Sequence, residues 1–209
     1  MKVLMSAGPT VEPIDPVRFI SNRSSGAMAV AIASALTAHG HEVVVVHGPL
    51  AVEIPAEGTW LPVQTAMEML KKLEEHAPEC DVFILAAAVC DMRPARSSTE
   101  KLEKSRLSRL DLEPNPDIAQ TLARAKGADQ LMITFSLENG WDLSRPLEKM
   151  RSKGADWAVV NDLSSMGGGQ GKFALLSAEG VFLLTPETMS KKDFATKLVS
   201  CIEARTNPG

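Results

Sequence analysis

"KVLMSAGPTVEPIDPVRFISNRSSGAMAVAIASALTAHGHEVVVVHG", Lys2 to Gly48, decides how this chain folds. It opens on the apolar run "KVLMSA", crosses a turn-rich stretch, enters an alanine-rich segment and returns to a second apolar run, "EVVVVHG". Neither run alternates apolar with polar residues, so both read as strands buried on both faces of a parallel sheet. Parallel strands need a crossover, and residues 25–39, ending beside Gly40, supply the helix. The rhythm continues: "DVFILAAAV" (81–89), "QLMITFSL" (130–137) and "DWAVVND" (156–162) read as further strands. Helical patterns at 65–77, 115–127, 144–154 and 190–204 alternate with them. The expected fold is therefore α/β: three-layer, doubly wound and Rossmann-like, with a mostly parallel sheet.

The 209 residues suit one domain, 1–209. With 44% hydrophobic and 23% charged residues the chain can bury a sizeable core. A net charge of -4 gives no electrostatic case for nucleic-acid or membrane-surface binding, and the 4% aromatic content speaks against stacking platforms for single strands. No apolar run reaches membrane-spanning length and the first strand starts at Lys2, so the expectation is a chain without leader or span, in the cytoplasm. Cys80, Cys90 and Cys201 are widely spaced and odd in number, which argues against a disulfide framework and for a reducing compartment.

Two segments break the alternation. Residues 92–114 are basic, polar and poor in pattern until "RLDLE", and 163–172, "LSSMGGGQGK", hold four glycines. Both follow predicted strands, on the side where open α/β sheets bind ligands. "SAGPT" and "SNRSSGAM" lead from the first strand into the alanine helix, whose free N–H groups suit an anion. Neither GxGxxG nor GxxxxGK[ST] is present, so no dinucleotide fingerprint or P-loop is indicated. An ordinary capped helix explains these residues equally well. The same holds elsewhere: Asp91 and Arg93 suit a surface loop, Asn115 a helix cap before Pro116, Lys153 a solvated surface, and Asn161 with Asp162 a turn. No Ser-His-Asp or Cys-His arrangement stands out, so covalent catalysis and a zinc site are poor readings.

Taken in order, however, the motifs resemble one family. "GPTVEPIDPVRFISNRSSG" is similar to the N-terminal signature of bacterial phosphopantothenoylcysteine synthetase, the phosphopantothenate–cysteine ligase of coenzyme A biosynthesis. "AAAVCDMRP" resembles its AAVADYRP, "EKLEK" its EKIKK, "NPDI" its NPDI, "TFSLEN" its GFAAET, and "KGADWAVVND" its lysine-to-AND segment. The resemblance covers residues 1 to about 200 and implies the free-standing form. It implies that CTP activates the 4'-phosphopantothenate carboxylate as an acyl-cytidylate, releasing pyrophosphate, and that L-cysteine then displaces CMP. It implies Mg²⁺ with no ligands assigned, a homodimer with 92–114 as flap or dimerisation segment, and a separate phosphopantothenoylcysteine decarboxylase partner.

By motif, the resemblance makes Asn115 and Lys153 the catalytic pair, the first handling the acyl-nucleotide and the second the triphosphate. It places Asn22, Ser24, Ser25, Gly26 and Arg93 at the phosphopantothenate. For the nucleotide it names Gly8, Phe135, Leu137, Glu138, Asn139, Asn161, Asp162, Gly167, Gly168 and Gly169, with Lys191 or Lys192 completing the phosphate cradle. The departures are Ala27 for a lysine, Ala29 for a glycine, Met92 for a tyrosine, Pro114 for a lysine, Thr134 for a glycine, Ser136 and Leu137 for alanines, and Gly168 with Gly169 for Phe-Asn. A lost charged hydrogen bond costs about 1.5–3 kcal/mol. These departures keep a second reading open, a nucleotide-binding paralogue without catalysis; an NAD(P)-dependent oxidoreductase is the weaker third.

Overall fold

The first strand, β1 (Lys2–Ala7), lies at the centre of the sheet, paired in parallel with β4 (Glu42–His47) on one side and β6 (Val82–Leu85) on the other. Beyond β4 runs β5 (Thr59–Pro62); beyond β6 run β9 (Leu131–Glu138) and β10 (Trp157–Asp162), all parallel. The chain is seen here as a computed structural model describing residues 1–104, 109–166 and 169–206. The five strands expected from the sequence are all present. Three more complete an eight-stranded sheet: β5 at one edge, and at the other β11 (Gln170–Ser177) and β12 (Phe182–Ser190), added antiparallel. β12 escapes the apolar-run signal because it is an exposed edge with a mixed pattern, and β11 because its buried apolar run, Phe173 to Leu176, is short. The parallel set follows the dinucleotide-fold order, reversing direction of growth between β1 and β6.

Helices cover both faces. Helix α1 (Ala27–Ala38) and α5 (Lys191–Thr206) pack on one; α2 (Ala66–His76), α3 (Ile118–Ala125) and α4 (Ser144–Ser152) on the other. Strand alternation feeds two cores. Val3, Met5 and Ala7 join Ile32, Leu36 and Leu198 on the α1 side, while Leu4 joins Met69, Leu73 and Leu122 on the opposite side. Truncating fully buried Leu36 or Leu73 to alanine costs about 2–5 kcal/mol. Helix α2 starts on a capping box, Thr65 with Glu68. Helix α3 starts two residues later than the Asn-Pro pair suggests: Asp117, not Asn115, is the N-cap, accepting from the Gln120 amide at 3.0 Å. That frees the Asn115 side chain for other work.

Two small ribbons stand beyond the C-terminal edge. β2 (Val11–Pro13) pairs with β3 (Phe19–Ser21), and β7 (Met92–Pro94) with β8 (Leu112–Pro114), both antiparallel. The pattern-poor segment 92–114 is thus closed at its base by a ribbon. Buried Asp15 organises the turn between β2 and β3, accepting from the amides of Val17 and Arg18 and the Arg18 guanidinium at 2.8–2.9 Å. It also accepts the Leu102 amide, at 3.1 Å, tying the two ribbons together. Burial pushes the Asp15 carboxyl up, but the amide bonds from Val17, Leu102 and Arg18 outweigh it and hold it below the ordinary range.

Candidate functional site at the topological switch point

Past β1 the chain turns at Gly8, and past β4 it turns at Gly48. The two turns touch: a Cβ on Gly48 would collide with the Pro9 carbonyl oxygen, so only glycine fits. Pairing of β1 with β6 continues past the strands through a Pro9–Ala88 bridge, with the Ala88 amide on Gly8 O at 2.9 Å. Between the start of α1, the stretch just past β6 and the C-terminal ends of β9 and β10 lies a cavity of about 280 Å³. Its position, outside the C-terminal ends of the strands where growth reverses, is where such sheets bind ligands.

The cavity brings together part of the predicted set. Ser24, Ser25, Gly26, Phe135, Leu137, Asn161 and Lys191 line it. Gly26 is the N-cap of α1 in a left-handed conformation, φ 78°, with no side chain of its own to cap the helix; the Ala27 amide donates to Ser25 Oγ at 3.3 Å. The positive end of the helix dipole lies at the cavity. Lys191, the first residue of α5, is the lining lysine; Lys192 is exposed and outside the lining. Ala27 takes part in the lining as a small apolar side chain. Arg23, which the sequence offers beside Asn22 as a phosphate contact, also lines it; sequence reading missed Met28, Ala29, Ala86 to Ala88, Ser165, Met166 and Phe173 as lining residues. The run of small residues at 86–88 was the available signal: a strand end made of alanines leaves room.

Two predicted asparagines are fixed just beside the cavity, on one stretch of backbone. Asn22 Nδ2 donates to the carbonyls of Ala88 and Val89, both at 3.1 Å. Asn115 Nδ2 donates to Cys90 O at 2.9 Å, and its Oδ1 accepts from Arg93 Nη1 at 2.9 Å. Arg93 is held in turn by Glu113, at 2.8 and 2.9 Å, so its guanidinium belongs to the ribbon rather than to the cavity lining. Thr10 Oγ1 accepts the Cys90 amide at 2.9 Å. Burial pushes the Cys90 thiol up, which keeps it protonated and unsuited to nucleophilic attack.

The remaining predictions are dispersed. Asn161 Nδ2 donates to Ser165 Oγ at 2.6 Å, and Asp162 caps the short helical turn 163–165 through the Ser164 amide at 3.0 Å. Asn139 follows the end of β9, Gly169 is a bend before β11, and Gly167 and Gly168 lie outside the described residues. Glu138 is buried on the opposite face of β9 from Leu137, where Ser136 Oγ donates to it at 2.6 Å and Lys149 Nζ lies 3.3 Å away. Lys153 is not part of the cavity lining. It is the C-cap of α4, where the chain turns back toward β10, and it pairs with Asp117 at 3.3 Å. Among the described residues no group of three metal-ligating side chains converges, and no helix is long and apolar enough to cross a membrane.

Gly8 and Gly26 approach each other as in a dinucleotide fold, yet Leu50 fills the gap. Its Cδ2 stands where it would clash with a Cβ added at either glycine. Gly8 therefore packs on a leucine and takes no part in the cavity lining.

Residues 1–205 match the model of the DNA/pantothenate metabolism flavoprotein C-terminal domain. The chain belongs to that family. A cysteine/cysteine sulfinic acid decarboxylase from an unknown prokaryotic organism is 41% identical to this family member over 172 residues, 81% of this chain and 48% of the relative. The coenzyme A biosynthesis bifunctional protein CoaBC of Mycobacterium tuberculosis H37Rv is 36% identical over 209 residues, 94% of this chain and 49% of the relative. The crystal structure of the C-terminal domain of a CoaBC protein superposes with a TM-score of 0.82 at 34% identity, covering 97% of this chain and 93% of that one. This family member spans about half the length of the curated relatives it matches.

Proposed function

We propose that this domain is a phosphopantothenate–cysteine ligase: it activates the carboxylate of 4'-phosphopantothenate with CTP, releases pyrophosphate, and lets the amine of L-cysteine displace CMP. The observation that carries the reading is the cavity at the switch point, built from the motifs that match the family and framed by the α1 N-terminus and Lys191. An amide forms from a carboxylate only after activation, and the chemistry needs positioning, charge stabilisation and a dry site more than it needs a nucleophile. The buried, protonated Cys90 accords with that.

In this reading the phosphate of phosphopantothenate rests on the amides of Gly26 to Met28 with Ser24 and Ser25. Ala27 supplies no cation there. Asn22 and Asn115 fix the backbone at 88–90 beneath the reacting carboxylate, and Arg93 holds Asn115 in its orientation. The nucleotide lies toward Phe135, Leu137 and Asn161, its phosphates reached by Lys191. Mg²⁺ bound with the triphosphate would neutralise charge on it. Such an ion is commonly held by one or two carboxylates plus phosphates, which fits a site where no three ligating side chains converge among the described residues. The exposed apolar side chains Val17, Phe19, Met92, Leu110 and Leu112 on the ribbons and the segment between them support a homodimer through the 92–114 arm. A decarboxylase on a separate chain would supply the next step, and the cytoplasm provides the substrates.

The test is pyrophosphate release from purified protein. Sustained release over many turnovers is expected only with phosphopantothenate, CTP, L-cysteine and Mg²⁺ together. Ala27 in the cavity wall favours one rival, a nucleotide-binding paralogue; CTP binding with no pyrophosphate under any of these conditions would select it.

A further inference from the structure

The arm that leaves at β7 and returns at β8 touches the rest of the molecule at few points. From Ala95 to Lys104 every residue is exposed except Ser98 and Leu102, which are half-buried. Both meet the turn between β2 and β3. The Ser98 amide donates to Ile14 O at 2.9 Å. Leu102 is held by both of its backbone groups: its amide donates to Asp15 Oδ2 at 3.1 Å, and its carbonyl oxygen accepts from Arg18 Nη1 at 3.2 Å. A neighbouring strand engages a residue in this way, with an acceptor and a donor side by side. Here two side chains do it.

Asp15 divides its oxygens between two tasks. Oδ1 accepts the amides of Val17 and Arg18, both at 2.8 Å, which shapes the turn. Oδ2 faces the arm, accepting from Leu102 and, at 2.9 Å, from Arg18 Nη1. The Asp15 side chain is 0% exposed, so its carboxylate is stable there only with these donors in place. One of them belongs to the arm. The same oxygen that takes the Leu102 amide also orients the guanidinium that takes the Leu102 carbonyl.

Both partners in this contact run on into the site. β3 leads to Asn22, which holds the carbonyls of Ala88 and Val89, and then to Ser24, Ser25 and Gly26 in the cavity wall. β8 leads to Asn115, which holds the Cys90 carbonyl. The other wall of the cavity, with Phe135, Leu137, Asn161 and Lys191, comes from β9, β10 and α5. We propose that Asp15, with Arg18, is a positioning residue: it clasps the arm to the hairpin and thereby fixes Asn22 and Asn115 on the backbone stretch they share. The clasp itself follows from the fold, while its effect on turnover rests on the ligase reading.

The experiment is amide hydrogen exchange of the full chain, followed residue by residue by NMR, in the unmodified protein and in Asp15→Asn. Asparagine keeps Oδ1 for the turn amides but sets an NH2 group where Oδ2 stood, facing two donors. The Leu102 amide should exchange at least about tenfold faster, the scale of a bond to a charged group, with Val17, Arg18 and the amides of β1 within about twofold. Arg18→Met, which removes the guanidinium and leaves the carboxylate, should speed Leu102 by a smaller factor and serves if Asp15→Asn does not fold. In pyrophosphate release, Asp15→Asn should lower kcat by about tenfold while CTP binding in calorimetry stays within about twofold. Unchanged exchange at Leu102, or equal acceleration at Leu102 and throughout β1, overturns the clasp; a normal kcat with Leu102 released overturns the positioning role. An unmodified chain that releases no pyrophosphate counts against the ligase reading alone, and exchange at Leu102 still decides the clasp.

Discussion

The two faces of the sheet differ most at its C-terminal edge. On the α1–α5 face the strand ends carry small and apolar groups, Ala86 to Ala88 and Leu137, and open into the cavity. On the α4 face, only one residue further along β9, buried Glu138 gathers Ser136 and Lys149, and Lys172 sits 4.6 Å over the Trp141 ring. Strand alternation does this: successive side chains point to opposite sides, so "FSLEN" serves both faces at once. The cavity thus takes Phe135 and Leu137 from this motif, while Ser136 and Glu138 turn to the α4 face.

That division can be broken by substitution. The largest effect is expected at the backbone stretch beside the cavity: Asn115→Ala leaves Cys90 O without its donor and should lower kcat/KM by about 100-fold or more, measured by pyrophosphate release, with the fold intact by circular dichroism. Next, Lys191→Gln, at the cavity, should weaken CTP binding by about tenfold in calorimetry, the scale of one charge-assisted bond, whereas Lys149→Gln, on the α4 face, should leave it within about twofold. Equal losses from both would erase the distinction between the faces. A smaller effect in the opposite direction should follow from Ala27→Lys, which puts a cation at the α1 N-terminus; phosphopantothenate should bind several-fold tighter with CTP affinity unchanged. The smallest effect is a null one. Burial pushes the Cys80 thiol up to about 11 and raises Cys90 and Cys201 as well, so alkylation of the native protein at pH 8 should be slow and should speed up only on unfolding or at higher pH.

The parallel sheet was legible because fully buried strands announce themselves as uninterrupted apolar runs, and all of those runs became central strands. The edge strands β5 and β12 were not, because they carry mixed surfaces that no apolar run marks, and the interior β11 was not, because its buried apolar run, Phe173 to Leu176, is short. The start of α1 was placed within two residues, but its cap is a left-handed glycine, a backbone feature that the serines around it obscure. Among site residues, those contributed by turns near β1 and β6 fell together, since the topology forces these ends to meet. Lys153 stands apart from that lining, as the C-cap of α4 paired with Asp117, because a motif's order says nothing about which face of the sheet its helix covers. The cation–π pair of Trp141 and Lys172 has no sequence signature at all, being made by residues far apart in the chain.

The central claim, that the cavity at the switch point joins a carboxylate to a nucleotide, is tested most directly by withholding cysteine. With phosphopantothenate, CTP and Mg²⁺ alone, mass spectrometry of the protein-bound material should reveal a phosphopantothenoyl–CMP adduct formed with one pyrophosphate per site, and added L-cysteine should discharge it to CMP and amide. A folded protein that binds CTP yet yields neither adduct nor pyrophosphate would contradict the claim.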